Sequence, residues 1–342
     1  MKVDNVFLAG IGTCLPDRVT TAEAVENGWY DGKLRNESRM LSVAVAGETP
    51  APDLAVAAAR EAVKRSEHTP DDFAALLHAP VFHQGPEIWS APHYVLHQTL
   101  DRPVPALEIR QGCLGMLTSM RLAALWLNGT AGPDAVLLTA GDNFCTDNVD
   151  RWRVSSHYLL GDAGSAAVLS RREGFARLLS VHSASCPEAE ALHRGGEPLF
   201  PPSVTVGKRL DLEERSEYIR AQWAAGLATP PLFHLGDMVC EVAGQALADA
   251  GLGMHDIARV VHSAVAFEQV QYGFLDALGI DAARGTWDFT RTLGHSGGTD
   301  QIAGLEYLLA TRQVGPGDRV LLLAAAVGME VGAAVVEILA AP

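Results

Sequence analysis

The chain has 342 residues, 48% hydrophobic and 20% charged, with a net charge of −15, a composition that fits a globular protein of one large or two ordinary domains. The acidic balance argues against a nucleic-acid surface, which needs clustered Lys and Arg. Cys14, Cys113, Cys145, Cys186 and Cys240 form no CxxC pair, which sets aside zinc and disulfide frameworks, and no apolar run approaches the roughly 20 residues of a membrane span.

In chain order, MKVDNVFLAGIGTCLP reads as a first strand ending in a Gly/Pro turn rather than a signal peptide, so a cytoplasmic protein is expected. Its GIGTCLPD lacks the spacing of a dinucleotide-binding loop. Residues 53–78 follow as an alanine-rich amphipathic helix, a polar turn and an apolar strand closing on His78. EIRQGCLGML (108–117) then sets Cys113 between glycines at the start of a helix over 114–128. GPDAVLLTAG (132–141) is a turn into a buried strand, and GDAGSAAVL (161–169) another strand of small and β-branched residues. Between 186 and 235, Pro, Arg and Glu are frequent, which predicts an excursion outside the core.

The remaining chain repeats what came before. At an offset of 184 residues and without gaps, 237–262 matches 53–78, with Asp53 on Asp237, Asp72 on Asp256 and His78 on His262. The same offset lays 316–325 on 132–141 and a helix over 298–312 on 114–128, while GMEVGAAVV (328–336) echoes GDAGSAAVL. The chain is therefore expected to be two duplicated α/β halves, 1–173 and 174–342, the second carrying the 186–235 excursion. Apolar strands such as AVLLTAG suit a sheet covered on both faces by helices.

The repeat singles out two junctions. Gln111 falls on His295 and Cys113 on Gly297, so QGCLG (111–115) and HSGGT (295–299) open equivalent helices. A helix N-terminus offers unpaired N–H groups and a partial positive charge, a setting that favours a thiolate. A small buried residue is the plain reading of Cys113; its histidine-bearing twin favours a nucleophile. His295 would be its base and Asp300, five residues on, would hold the imidazole as a triad acid does, the plain alternative being a helix-dipole contact. His262 ends a strand matched by His78, so a structural role stands beside a catalytic one. His83, His93, His97, His157, His182 and His193 show no ligand spacing, and no metal site is expected.

Duplicated halves, a cysteine at a helix start, GDAGSAAVL and the Gly294-His295-Ser296 turn together resemble the thiolase superfamily, and within it the β-ketoacyl-acyl carrier protein synthase III enzymes, over nearly the whole chain. The resemblance implies a thiolase-like, five-layered αβαβα fold, a homodimer, no permanently bound cofactor, and an acyl group carried on Cys113 from an acyl-coenzyme A or acyl carrier protein thioester. Condensing members carry a His-Gln-Ala-Asn stretch, where this chain has His262-Ser263-Ala264-Val265, and a Gly-Asn-Thr-Ser stretch, where it has Gly294-His295-Ser296-Gly297. Both departures fall on groups that stabilise an enolate.

The Cys113, His295, Asp300 set is similar instead to ketosynthase III-like acyltransferases of aromatic polyketide and antibiotic pathways, among them a malonyltransferase acting on a sugar hydroxyl. That implies transfer of a malonyl-type acyl group to a hydroxyl such as that of a polyketide glycoside, with the backbone N–H groups of Cys113 and Gly328 as an oxyanion hole. Arg151 and Arg153 are candidate contacts for a carboxylate or a pantetheine phosphate, solvated arginines being the plainer reading. Lys208, Arg209, Arg215 and Arg220 are candidates for a patch that meets an acidic carrier protein. Two other readings stay open: a starter-unit condensing enzyme using His262 and His295, and a non-catalytic partner subunit.

Overall fold

The protein is described here by a computed structural model covering residues 1–129, 132–230 and 234–341. Three residues of the expected excursion, 231–233, lie outside the described residues. Among those described, nine strands form the main sheet: β1 (Phe7–Cys14), β2 (Phe73–His78), β3 (Ala106–Glu108), β4 (Ala135–Asp142), β5 (Ala163–Ser170), β6 (Ala176–Ser185), β7 (Ile257–Val261), β8 (Arg319–Ala326) and β9 (Glu330–Ile338). Their order is β3-β2-β4-β5-β1-β6-β9-β8-β7. Pairing is parallel for β3-β2-β4 and for β8-β7 and antiparallel elsewhere. The strands β4, β5 and the core of β9 are buried along almost their whole length, as expected where helices cover both faces.

Five helices position the site: α1 (Ala51–Arg65), α2 (Ala91–Thr99), α3 (Gly115–Gly129), α4 (Leu212–Ala224) and α5 (Leu235–Ala250), followed by a sixth, α6 (Asp300–Ala310). The first begins with Pro52 and Asp53 in its opening turn and ends on Lys64 and Arg65, charges placed to complement the helix dipole. Its buried face is mostly alanine, so it lies unusually close to the sheet. A Cβ at Gly12 would come within 2.4 Å of the Ala58 carbonyl oxygen, and one at Gly164 within 2.2 Å of the Leu54 carbonyl.

Strand β1 meets β6 over only two residue pairs, Phe7 with Arg177 and Leu8 with Ala176. The two blocks of strands on either side of this seam enclose α3 and α6, which share one apolar core with both blocks. Helices α1 and α2 cover the outer face of the first block and α5 that of the second. Five layers result, αβαβα, as the family resemblance implied. The elements keep the repeat: β4 spans 135–142 and β8 319–326, each in the same place in its block. Among the described residues, the segment after β6 contributes no strand to the sheet; α4 lies there, fastened by Glu197. That carboxylate is held at about 2: burial opposes ionisation, but Arg215, Ser203 and Lys208 outweigh it.

Candidate active site

Cys113 lies in a single 3-10 turn, Gly112–Leu114, that runs directly into α3. The turn needs its glycines for different reasons. Gly112 has φ +53, a left-handed conformation that costs glycine little. At Gly115 a Cβ would sit 2.8 Å from that of Ala79, so a larger residue would push the helix start off the sheet. The twin turn, Gly297–Thr299, runs into α6 and contacts the first. At Gly297, the repeat partner of Cys113, a Cβ would come within 2.6 Å of Val81 Cγ2 and 3.0 Å of Asp142 Oδ2. At this matched position one half carries a thiol and the other has no room for a side chain.

His295 bridges the two junctions. Its N–H donates to the Leu159 carbonyl at 2.7 Å and its own carbonyl accepts from Gly161 N–H at 3.0 Å, which fixes the ring's base. Nε2 is 2.8 Å from Cys113 Sγ and Nδ1 is 2.6 Å from Asp300 Oδ2. Asp300 is fully buried and each oxygen has a further donor: Oδ2 accepts from Ala264 N–H at 2.7 Å, and Oδ1 from Ser296 N–H at 3.0 Å and Ser296 O–H at 2.8 Å. With its carboxylate on the Nδ1 side, Nε2 is left to exchange a proton with sulfur.

The electrostatics reinforce this line. Burial alone would lower the His295 pKa, but the Cys113 sulfur and the Asp300 carboxylate together raise it well above its ordinary value. For Asp300 burial opposes ionisation, and His295 with the backbone donors overrides it, leaving the group below the usual carboxylate range. Tyr158 closes the site from one side, its ring edge-on to His295 at 5.1 Å. A cavity of about 280 Å³ opens over Cys113 and His295, walled by Tyr158, Ser263 and Phe274, with Arg220 of α4 among its lining residues.

Several expected site residues lie elsewhere. Arg151 is buried in a two-pronged ion pair with Asp162, at 3.1 and 2.9 Å, and also donates to the Leu160 carbonyl and Cys145 Sγ. It anchors the chain leading into β5 rather than a donor group. Arg153 is exposed and donates to the Gly28 carbonyl at 2.7 Å. Neither lines the cavity. Gly328 sits in the turn between β8 and β9, its N–H directed at His193 Nδ1 at 3.4 Å, and the cavity wall there is Val327 and Met329 instead. His262 is fully buried with both ring nitrogens taken by backbone: Nδ1 lies 2.9 Å from the Ser263 carbonyl and Nε2 accepts from Thr286 N–H at 3.2 Å. Burial, against the pull of Ser263 and Asp300, lowers it to about 4, so it is neutral and turned away from the cavity. Lys208 and Arg215 are committed to Glu197, and Arg209 is within 3.5 Å of Asp150.

Sequence reasoning missed Tyr158, Ser263 and Phe274. Tyr158 and Ser263 reach the cavity from loops and Phe274 from the short π-helix Val270–Leu275, and none stands at a spacing that marks it. Among the described residues no group of three His, Cys, Asp or Glu side chains is arranged to hold a metal ion, and no helix is long and apolar enough to cross a membrane.

Comparison with known proteins shows the family. Residues 107–187 match the family 3-oxoacyl-[acyl-carrier-protein] synthase III, and residues 247–338 its C-terminal part. The chain is 27% identical to a β-ketoacyl-[acyl-carrier-protein] synthase III of Streptomyces coelicolor over 339 residues, covering 96% of this chain and 95% of the relative. Among solved structures, the acyltransferase ChlB3 is 38% identical with a TM-score of 0.93, covering 98% of both chains. The 3-oxoacyl-[acyl-carrier-protein] synthase III of Aquifex aeolicus, 18% identical with a TM-score of 0.78 over 97% of this chain and 99% of its own, shares the fold. The chain belongs to the thiolase superfamily as a ketoacyl synthase III-like acyltransferase, an enzyme of acyl transfer or condensation.

Proposed function

We propose that the enzyme moves a malonyl-type acyl group from a coenzyme A or carrier-protein thioester, by way of an acyl-cysteine on Cys113, to a hydroxyl acceptor such as a polyketide glycoside. One observation carries the reading: the continuous line Cys113 Sγ, His295 Nε2, His295 Nδ1, Asp300 Oδ2 at 2.8 and 2.6 Å. The Cys113 thiolate attacks the thioester carbonyl, the oxyanion is met by the Cys113 backbone N–H, and the departing thiolate takes the proton held by His295. In the second half, His295 Nε2 removes the acceptor hydroxyl's proton as its oxygen attacks the acyl carbon, and the Cys113 thiolate leaves. Asp300 orients the ring and balances the imidazolium. No step requires a bound cofactor, and the division into halves at 1–173 and 174–342 puts nucleophile and base on different halves.

The condensing alternative would need donors for an enolate. His262 offers none toward the cavity, because backbone occupies both nitrogens, and His295 is engaged by Cys113 and Asp300. Loss of those donors also protects a malonyl group from decarboxylation during its stay on sulfur. Incubation with malonyl thioester followed by intact-mass measurement tests the scheme. A malonyl adduct on the wild type, absent in Cys113→Ala, is expected; release of carbon dioxide with a 3-ketoacyl product would establish condensation instead, and no adduct would leave a non-catalytic partner.

The same proposal includes a cytoplasmic homodimer working in antibiotic biosynthesis. The short edge strand β3 supports the dimer, since it has one unpaired side and exposes Leu107, with Ile88 and Trp89 exposed nearby in sequence to the preceding strand; such edges invite a second copy. Light scattering at twice the chain mass is the expected result.

A further inference from the structure

The cavity wall contains a hydroxyl that the mechanism does not use. Ser263 follows His262 at the end of β7, is 2% exposed, and lines the same cavity as Cys113 and His295. Its Oγ is buried and has no hydrogen-bond partner among the described residues. A buried hydroxyl without a partner is unfavourable, so a hydroxyl here is a poor choice for packing alone; alanine would fill the wall as well. Its neighbours are tied tightly to the reacting groups. The Ser263 carbonyl receives His262 Nδ1 at 2.9 Å, and the next N–H, that of Ala264, donates to the Asp300 oxygen that also holds His295. Two hydrogen bonds, Ala264 to Asp300 and Asp300 to His295, therefore link this stretch of backbone to the base. Val265, Phe274 and Ala326 give the same cavity apolar surface, and its other polar side chains beyond the reacting pair are His157, Tyr158, His193, Ser216 and Arg220.

We infer that Ser263 is a specificity-determining residue whose hydroxyl pairs with an oxygen on the chain of the acyl group held at Cys113, selecting oxygen-bearing acyl donors of the malonyl type over plain alkanoyl donors of similar length. The inference rests on the acyl-cysteine reading above. Its logic is that of any site built around a polar partner: a substrate lacking the oxygen leaves the hydroxyl unpaired and is rejected, whereas an apolar wall discriminates weakly.

The test follows acylation of Cys113 by intact mass and by initial rate, using malonyl- and butyryl-coenzyme A, in wild type, Ser263→Ala and Ser263→Thr. Wild type should prefer malonyl. In Ser263→Ala the malonyl-to-butyryl ratio of acylation rates should fall by about tenfold or more, mainly through malonyl, while Ser263→Thr, which keeps the hydroxyl, retains most of the preference. A melting curve for each variant separates folding from selectivity. An unchanged ratio in a folded Ser263→Ala overturns the inference, and so does an equal slowing of both donors, which is what a purely structural serine would give. If variants differ only in a second assay, transfer from a preformed acyl-enzyme to an acceptor alcohol, the oxygen read belongs to the acceptor and the acyl assignment falls. Failure of wild type to form any adduct is a distinct result that removes the acyl-cysteine reading itself.

Discussion

A histidine held between a sulfur and a carboxylate has a pH dependence whose sign can be worked out. The pKa of His295 is raised above the value of about 6.5 that an unfolded imidazole takes. Stability from its charged contacts is therefore fully present below about 6.5 and is lost as pH rises through the raised folded value. Wild type should lose melting temperature on that alkaline side, and His295→Gln, compared across the same range, should show a smaller loss. Asp300→Asn removes the charge that supports the imidazolium but keeps the size of the side chain. The pH at which His295 gives up its proton should then move down, as read by its imidazole resonance, and acyl transfer should fall by about 10²–10⁴. Cys113, His295 and Asp300 were legible because the cysteine and the histidine fell in equivalent junctions of a repeat, with the acid five residues after the histidine. Arg151 was not, since an arginine ahead of a strand reads the same whether it meets a ligand or, as here, a buried Asp162.

At the scale of elements, the ends of the strands do the positioning. His78 closes β2 with Nδ1 on Thr139 at 2.9 Å and Nε2 on Gln84 at 3.1 Å, and burial lowers it to about 4. His262 plays the corresponding part after β7, reaching Thr286. The pair shows why one residue type recurs in both halves: each neutral ring ties a strand end to the loop beyond it. His262→Ala should lower stability by about 1–3 kcal/mol, the cost of leaving backbone groups unpaired, and still acylate Cys113; loss of the adduct in a folded variant would restore His262 to the chemistry. Asp142, ending β4, accepts from the N–H groups of Val81 and Phe82 at 2.9 and 2.8 Å, yet burial outweighs those bonds and lifts it to about 7. A folded value raised this far means that stability falls as pH climbs from the ordinary carboxylate range through 7. Asp142→Asn should melt higher than wild type at pH 8, with the gain shrinking toward pH 4. Nothing in the sequence marked Asp142, because its effect comes from a desolvation that only the packed strand ends create.

On the scale of the whole molecule, close approach between layers governs stability. The first outer helix and its sheet meet through backbone, with Gly12 and Gly164 facing the carbonyls of Ala58 and Leu54. Gly12→Ala would force those layers apart and should destabilise the fold by about 2–5 kcal/mol, measured as a drop in denaturant midpoint. The two α/β halves followed from the alternation of alanine-rich helices and apolar strands, which the repeat made visible, while the five layers followed from the family resemblance. The cavity was less legible. Its wall comes partly from the segment after β6, where short helices are pinned by Glu197 and its cations rather than by any periodic pattern.

The thiol and its base lie 182 residues apart in the chain, on opposite sides of the seam where β1 meets β6. During synthesis the cysteine emerges more than half a chain before the histidine that completes it. A prematurely ended chain, however well its first layers form, carries sulfur without a proton partner. On the proposed chemistry, a chain that ends before His295 has the sulfur but not the imidazole that lies 2.8 Å from it, and acylation by a thioester donor would wait for the second half.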